Sequence, residues 1–221
     1  MEDIHYGDIP RFHVAVDCVI FSVIGGRLHI LLVERDFEPE KGKWSLIGGF
    51  VTENESVDDA AKRVLSELTG IHKAFIRQIG AFGEIKRDPG ARVVSVAYFA
   101  LLNIEDAEIG KNSGKVKWVD MEKLPELGFD HPEMIKKALS VMREKILRES
   151  LAFNLLPEFF TLTQLQSLVE SVMGRKLDKR NFRKRVVELP GLCPTELIDK
   201  QNSKRGAKLY RFEIKQNNLY H

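Results

Sequence analysis

The stretch from Gly49 to Ile71 constrains the fold more than any other part of the chain. A glycine-led polar loop runs into Ser56, which carries the side-chain oxygen an N-cap needs. Val57, Ala61, Val64 and Leu68 then recur on one helical face before Gly70 ends the segment. One helix of about four turns can bury a single stripe, so it needs an apolar sheet to lie against. The flanks supply it. Residues 12–23 and 28–34 are rich in β-branched and apolar types, with Gly25-Gly26 between them as a hairpin signal. Strand-like runs follow at 74–83, 93–102 and 115–119, and Asp88-Pro89-Gly90 turns between the first two. Asp130 and Pro132 open a second helix, where Ile135, Ala138, Leu139, Met142 and Ile146 keep helical spacing. This block is predicted to be α+β, with a mixed sheet.

A length of 221 residues suits two domains, and the charge divides the chain accordingly. Residues 1–148 hold 21 Lys and Arg against 24 Asp and Glu, whereas residues 149–221 hold 13 against 8. A basic tail on a mildly acidic body points to a polyanion partner for the tail. With 43% apolar and 30% charged residues the chain is expected to be globular, not disordered. Asp17, Arg27, His29 and Arg35 interrupt its most apolar runs, which excludes a membrane span. The opening Met1-Glu2-Asp3 lacks the features of a signal segment, and Cys18 and Cys193 alone build no disulfide framework, so the cytoplasm is the expected compartment. The six histidines show no metal-ligand spacing, and neither a metal nor a cofactor is expected.

The basic region reads as short helices followed by a hairpin. Thr161 and Gln164 form a capping-box pair; Leu165, Leu168, Val169 and Val172 make a buried stripe that ends at Gly174. Asp178 caps the next helix, with Leu177 and Phe182 placed as a hydrophobic staple. A helical projection turns Phe182, Val186 and Leu189 inward, and Arg180 and Lys184 outward between Asn181 and Arg183. Arg matches guanine bidentately, Asn matches adenine, and Lys suits phosphate, so this is a candidate recognition helix for the major groove. Residues 194–199 and 207–213 then pair around Asn202-Ser203-Lys204-Arg205-Gly206, a basic wing. The expected DNA-binding set is Thr163, Gln164, Lys179, Arg180, Asn181, Arg183, Lys184, Ser203, Lys204, Arg205, Lys208 and Tyr210.

In the first block Gly49, Glu55, Arg63, Leu65, Glu67, Gly70 and Ile71, preceded by Trp44-Ser-Leu-Ile-Gly-Gly, resemble the Nudix box, G-x5-E-x7-R-E-U-x-E-E-x-G-U with U a bulky apolar residue. The resemblance implies a Nudix-fold α/β/α sandwich. A Nudix hydrolase presents carboxylates at i, i+3 and i+4 of the box helix to hold Mg²⁺ against a diphosphate. Here those positions are Val64, Glu67 and Leu68, a poor set for a hard ion that wants oxygen ligands. Hydrolysis is therefore not expected. A concave pocket would remain, with Asp17, Arg35, Trp44, Glu53, Glu67, Arg87, Asp88 and Arg92 as candidate effector ligands.

A decayed Nudix box joined to a winged helix-turn-helix resembles the Nudix-related transcriptional regulators over nearly the whole chain. The carrying segments are Gly48-Gly49-Phe50-Val51, Arg87 to Gly90 with Arg92 to Tyr98, Phe129-Asp130-His131, and Phe160-Thr161-Leu162 through Lys184. The match is closest to the arabinose-responsive branch. It implies an effector-sensing domain over 1–148, a DNA-binding domain over 149–221, and a homodimer on a palindromic double-stranded operator. It also implies repression of pentose-utilisation genes, with L-arabinose as the releasing effector. Other branches sense ADP-ribose and control NAD metabolism. Those, and a weak Mg-dependent pyrophosphohydrolase, are the alternative readings.

Overall fold

The computed structural model describes Gly7 and residues 9–72, 74–104, 116–200 and 206–213. Ten strands form: β1 (His13–Ile24), β2 (Arg27–Glu34), β3 (Trp44–Ser45), β4 (Ile47–Phe50), β5 (Phe75–Phe82), β6 (Val93–Leu101), β7 (Val116–Asp120), β8 (Phe160–Thr161), β9 (Leu192–Asp199) and β10 (Ala207–Phe212). The helices are α1 (Val57–Thr69), α2 (His131–Lys145), α3 (Leu162–Met173) and α4 (Lys179–Val186).

Strand β1 organises the larger sheet because it is long enough to serve several partners. Its first half pairs antiparallel with β4, from Ala15 opposite Phe50 to Cys18 opposite Ile47. Its last residues pair with β2 across the Gly25-Gly26 turn. Its other edge runs parallel to β6, from His13 opposite Val93 to Phe21 opposite Leu101. Strand β5 extends the sheet beyond β6, while β3 and β7 pair with β2. Side-chain alternation then gives two apolar faces. Val16, Cys18 and Ile20 pack with Ala60, Ala61, Val64 and Leu65 of α1. Val19 and Phe21 pack with Met134, Ala138 and Met142 of α2. The α/β/α sandwich follows directly.

The expected elements form, with boundary shifts of a few residues. Ser56 caps α1 by accepting from the Asp59 N–H, and Gly70 ends it at φ 71°. Three strands escaped the sequence reading. Strands β3, β4 and β8 have only two, four and two residues, too few to show a period, and β4 carries Gly48 and Gly49. Pairing imposed by β1, β2 and β10 makes them strands.

The winged helix carries a three-stranded sheet in the order β8-β10-β9. Phe153 stacks on Phe212 with ring centroids 3.8 Å apart and tilts against Phe160, tying the connecting turn to the wing. The α2 face of the sandwich continues without a break into this second unit, where Leu165, Val169, Val172, Phe182 and Val186 join the same core. Polar bonds reinforce the seam. Ser171 Oγ accepts from the Leu28 N–H at 2.6 Å, Arg143 Nε donates to the Val172 carbonyl at 2.8 Å, and Glu149 pairs with both Arg77 and Lys145. The two units are docked through this shared core and these bonds.

Candidate effector site and nucleic-acid interface

Asp17 is the one acid inside β1, and the fold gives it three polar neighbours. Ser95 on the paired strand β6 donates to its Oδ2 at 2.6 Å, and Arg87 stands 3.4 Å from the same oxygen. Arg87 also chelates Asp130, the residue before α2, through Nε and a terminal nitrogen at 2.7 to 3.2 Å. His131 Nδ1 accepts the Leu46 N–H at 3.1 Å, which leaves the ring proton on Nε2, 3.5 Å from Asp17 Oδ1. Burial pushes the Asp17 carboxyl up, but hydrogen bonds from His131 and Ser95 and the charge of Arg87 hold it below the usual carboxylate range. Gly48 makes this possible, because a Cβ there would stand 2.4 Å from Asp17 Oδ1. The structure brings two of the candidate effector ligands, Asp17 and Arg87, into contact with each other. The Arg87 side chain is only 4% exposed and its charge is already matched by Asp17 and Asp130.

Across the sheet from this cluster lies the box helix. Glu55 accepts from the Thr52 N–H and grips Arg63 at 2.8 and 2.9 Å, and Arg63 also donates to the Phe50 carbonyl. The Arg63 guanidinium holds the Glu55 carboxyl down to about 2, so this pair fixes the loop. Val64 is 3% exposed, with a methyl 3.0 Å from where a Cβ on Gly49 would stand; Leu68 packs against the same core. Hydrocarbon fills the face that a hydrolase gives to carboxylates. Glu67 points to solvent and reaches only Arg63, at 3.5 Å. Among the described residues no group of three His, Cys, Asp or Glu side chains could hold a metal ion. The Mg²⁺ implied by the Nudix fold does not fit these residues.

The other candidate ligands scatter. Glu53 is exposed on the loop. Asp88 accepts from the Gly90 N–H and shapes its own turn. The guanidinium of Arg35 lies over the Phe37 and Phe129 rings, and Nζ of Lys117 covers the Trp44 ring at 4.4 Å. Arg92 lies over Phe12, which is 53% exposed, while Phe50, 57% exposed, tilts against His13 with ring centroids 5.5 Å apart. Both exposed aromatics are absent from the candidate set. Asp130 and His131, the first expected only as a helix start and both as part of the Phe129-Asp130-His131 resemblance segment, are absent from the candidate set. Their position before Pro132 gives no sign that both side chains turn inward.

In the winged helix the cationic front forms as expected. Asp178 accepts from the Asn181 N–H to start α4, and Phe182 and Val186 are buried behind it. Lys179, Arg180, Arg183 and Lys184 are exposed, and no side-chain bond ties them to other described residues. Thr163 and Gln164 are exposed at the start of α3, although the Gln164 carbonyl already accepts from Thr161 in a complete capping box. Lys208 is exposed and Tyr210 half-buried on β10, while Ser203, Lys204 and Arg205 lie outside the described residues. Val187, 53% exposed at the end of α4, adds an apolar contact to the cationic front that the sequence reading did not include.

Fold and side chains together define a Nudix-type domain without a metal face, docked on a winged helix. Known proteins agree with both halves. The NUDIX domain model matches residues 11–138 and the NrtR DNA-binding winged helix domain model matches residues 152–212. The chain belongs to the NrtR family of Nudix-domain transcriptional regulators. It is 37% identical over 212 residues to the ADPR-responsive transcriptional repressor NtrR of Acinetobacter baylyi, covering 94% of this chain and 84% of that one. The crystal structure of Shewanella oneidensis NrtR with a 27mer DNA is 32% identical, with a TM-score of 0.81, over 90% of this chain and 93% of that one. The Nudix domain of the same NrtR complexed with ADP ribose is 31% identical, with a TM-score of 0.56, over 63% of this chain and 94% of that one.

These relatives do not support the arabinose branch expected above; the ligand named for them is ADP-ribose. The loss of metal ligands at Val64 and Leu68 does not by itself argue against a diphosphate ligand, because cationic side chains can hold phosphates where no carboxylate repels them.

Proposed function

We propose that the chain is an ADP-ribose-responsive transcriptional repressor. Its winged helix binds operator DNA as part of a homodimer, and its Nudix domain, residues 1–148, binds ADP-ribose without hydrolysing it. The observation that carries this reading is the pairing of a hydrocarbon-filled metal face at Val64 and Leu68 with the unpartnered cations of α4. The first supports recognition without cleavage, and the second calls for a polyanion. Arg180 and Asn181 would read bases, while Lys184 and Lys208 would anchor phosphates. For the effector, Arg92 and Arg35 offer charge to the phosphates, and the exposed Phe12 ring beneath Arg92 offers a surface for a base to stack on. No helix among the described residues is long and apolar enough to cross a membrane, in keeping with a regulator that works beside its DNA.

A gel shift with duplex DNA from upstream of the chain's own gene tests the proposal. ADP-ribose should release the DNA, and L-arabinose and xylose should not. Release by a pentose alone would overturn it. The rival reading, a weak pyrophosphohydrolase, rests on the single remaining acid of the former metal face. It requires Mg²⁺-dependent turnover of ADP-ribose that disappears in Glu67→Gln.

A further inference from the structure

A groove of about 310 Å³ opens between α2, α3 and α4, on the side of the recognition helix turned away from its cationic front. Its floor is hydrocarbon: Ile146, Val169 and Phe182 are 2%, 1% and 6% exposed. Its rim is cationic, with Arg143, Arg175 and Arg185 around the opening. The two rim carboxylates are already engaged. Glu144 pairs with Arg148, and Asp178 caps α4. Arg143 commits only Nε, to the Val172 carbonyl, and Arg175 and Arg185 make no side-chain bond to another described residue. On α4, Arg185 sits four residues after Asn181 on the flank that borders the groove, not on the outward face of Arg180 and Lys184.

An apolar floor under a rim with spare guanidinium groups matches a ligand with a hydrocarbon body and one anionic end. At roughly 30 Å³ per packed heavy atom the groove holds on the order of ten. We propose that this groove is a second small-molecule site, distinct from the Nudix pocket, that takes a medium-chain amphipathic carboxylate. Such a ligand would wedge between the last helix of the effector domain and the recognition helix. Any difference in its affinity for two arrangements of that seam would shift their populations.

Calorimetric titration of the full chain with octanoate tests this, alongside 1-octanol and octyltrimethylammonium of equal chain length. Octanoate should bind saturably at one site, with the alcohol and the cation about tenfold weaker or more. In the double variant Arg175→Gln, Arg185→Gln that advantage over octanol should vanish while octanol affinity and the circular dichroism spectrum stay as in the parent. Saturating ADP-ribose should leave octanoate bound. Absence of saturable octanoate binding, equal affinity for octanol, an advantage that survives in the variant, or full exclusion by ADP-ribose would each overturn the proposal. None of these outcomes depends on ADP-ribose releasing DNA.

Discussion

The effector domain and the winged helix handle charge in opposite ways. In the first, Arg87 is buried between Asp17 and Asp130 and Arg63 is clamped by Glu55, so both of these cations are balanced by carboxylates of the same chain. In the second, Lys179, Arg180, Arg183 and Lys184 crowd one face of an eight-residue helix, with no carboxylate of the described residues bonded to any of them. Internal pairing makes a scaffold, and unpaired cations await an external polyanion. Helices α1 and α4 show the same contrast at smaller scale. Each buries an apolar back, but α1 has also turned its former metal-binding positions into hydrocarbon.

Removing the central charge of the buried cluster should break the contrast most severely. Arg87→Met leaves Asp17 and Asp130 facing each other uncompensated, and should cost ~3–5 kcal/mol in a chemical denaturation curve. A loss no larger than that of an exposed arginine would mean the cluster is wetter than its burial implies. The same change on α4 should leave stability alone and appear only in binding. Arg180→Ala should lower discrimination between specific and random DNA by ~1–3 kcal/mol, whereas Lys184→Ala should weaken both alike and reduce the salt slope by about 1. Equal loss of specific and random binding in Arg180→Ala would remove its base-reading role.

This asymmetry also decided how much the amino-acid order revealed. Helix α4 was legible because its cap, staple and cationic front lie within one short run, and local spacing fixes what points outward. Asp17 and Arg87 stood out too, as polar residues in apolar or turn-like surroundings. Their partners did not. His131 reaches Asp17 from more than a hundred residues away, Asp130 meets Arg87 from 43 residues away, and only the packing of α2 on the sheet turns both inward. Likewise, loop spacing alone could not tell that Glu53 and Glu67 face solvent while Trp44 lies under Lys117. The absence of metal carboxylates at 64 and 68 was plain from the sequence, but its meaning for the effector depends on which cations surround the pocket, and that is a tertiary property.

The smallest expected effect comes from one surface carboxylate in each region. Glu55 is held at about 2 by the hydrogen bond from Arg63, and Glu170 at about 2 by the hydrogen bond from Lys176, against an ordinary value of 4.5. A carboxyl held lower when folded stabilises the fold above its unfolded value, and that contribution fades as pH falls from about 4.5 towards 2. Because both units share one core, the loss should register in a single melting transition. Glu55→Gln and Glu170→Gln should each start from a lower midpoint at pH 6 and then fall less steeply than the parent between pH 5 and pH 2.5. Two separate transitions, each responding to only one substitution, would show that the domains unfold independently. Slopes parallel to the parent's would show that neither clamp survives in solution.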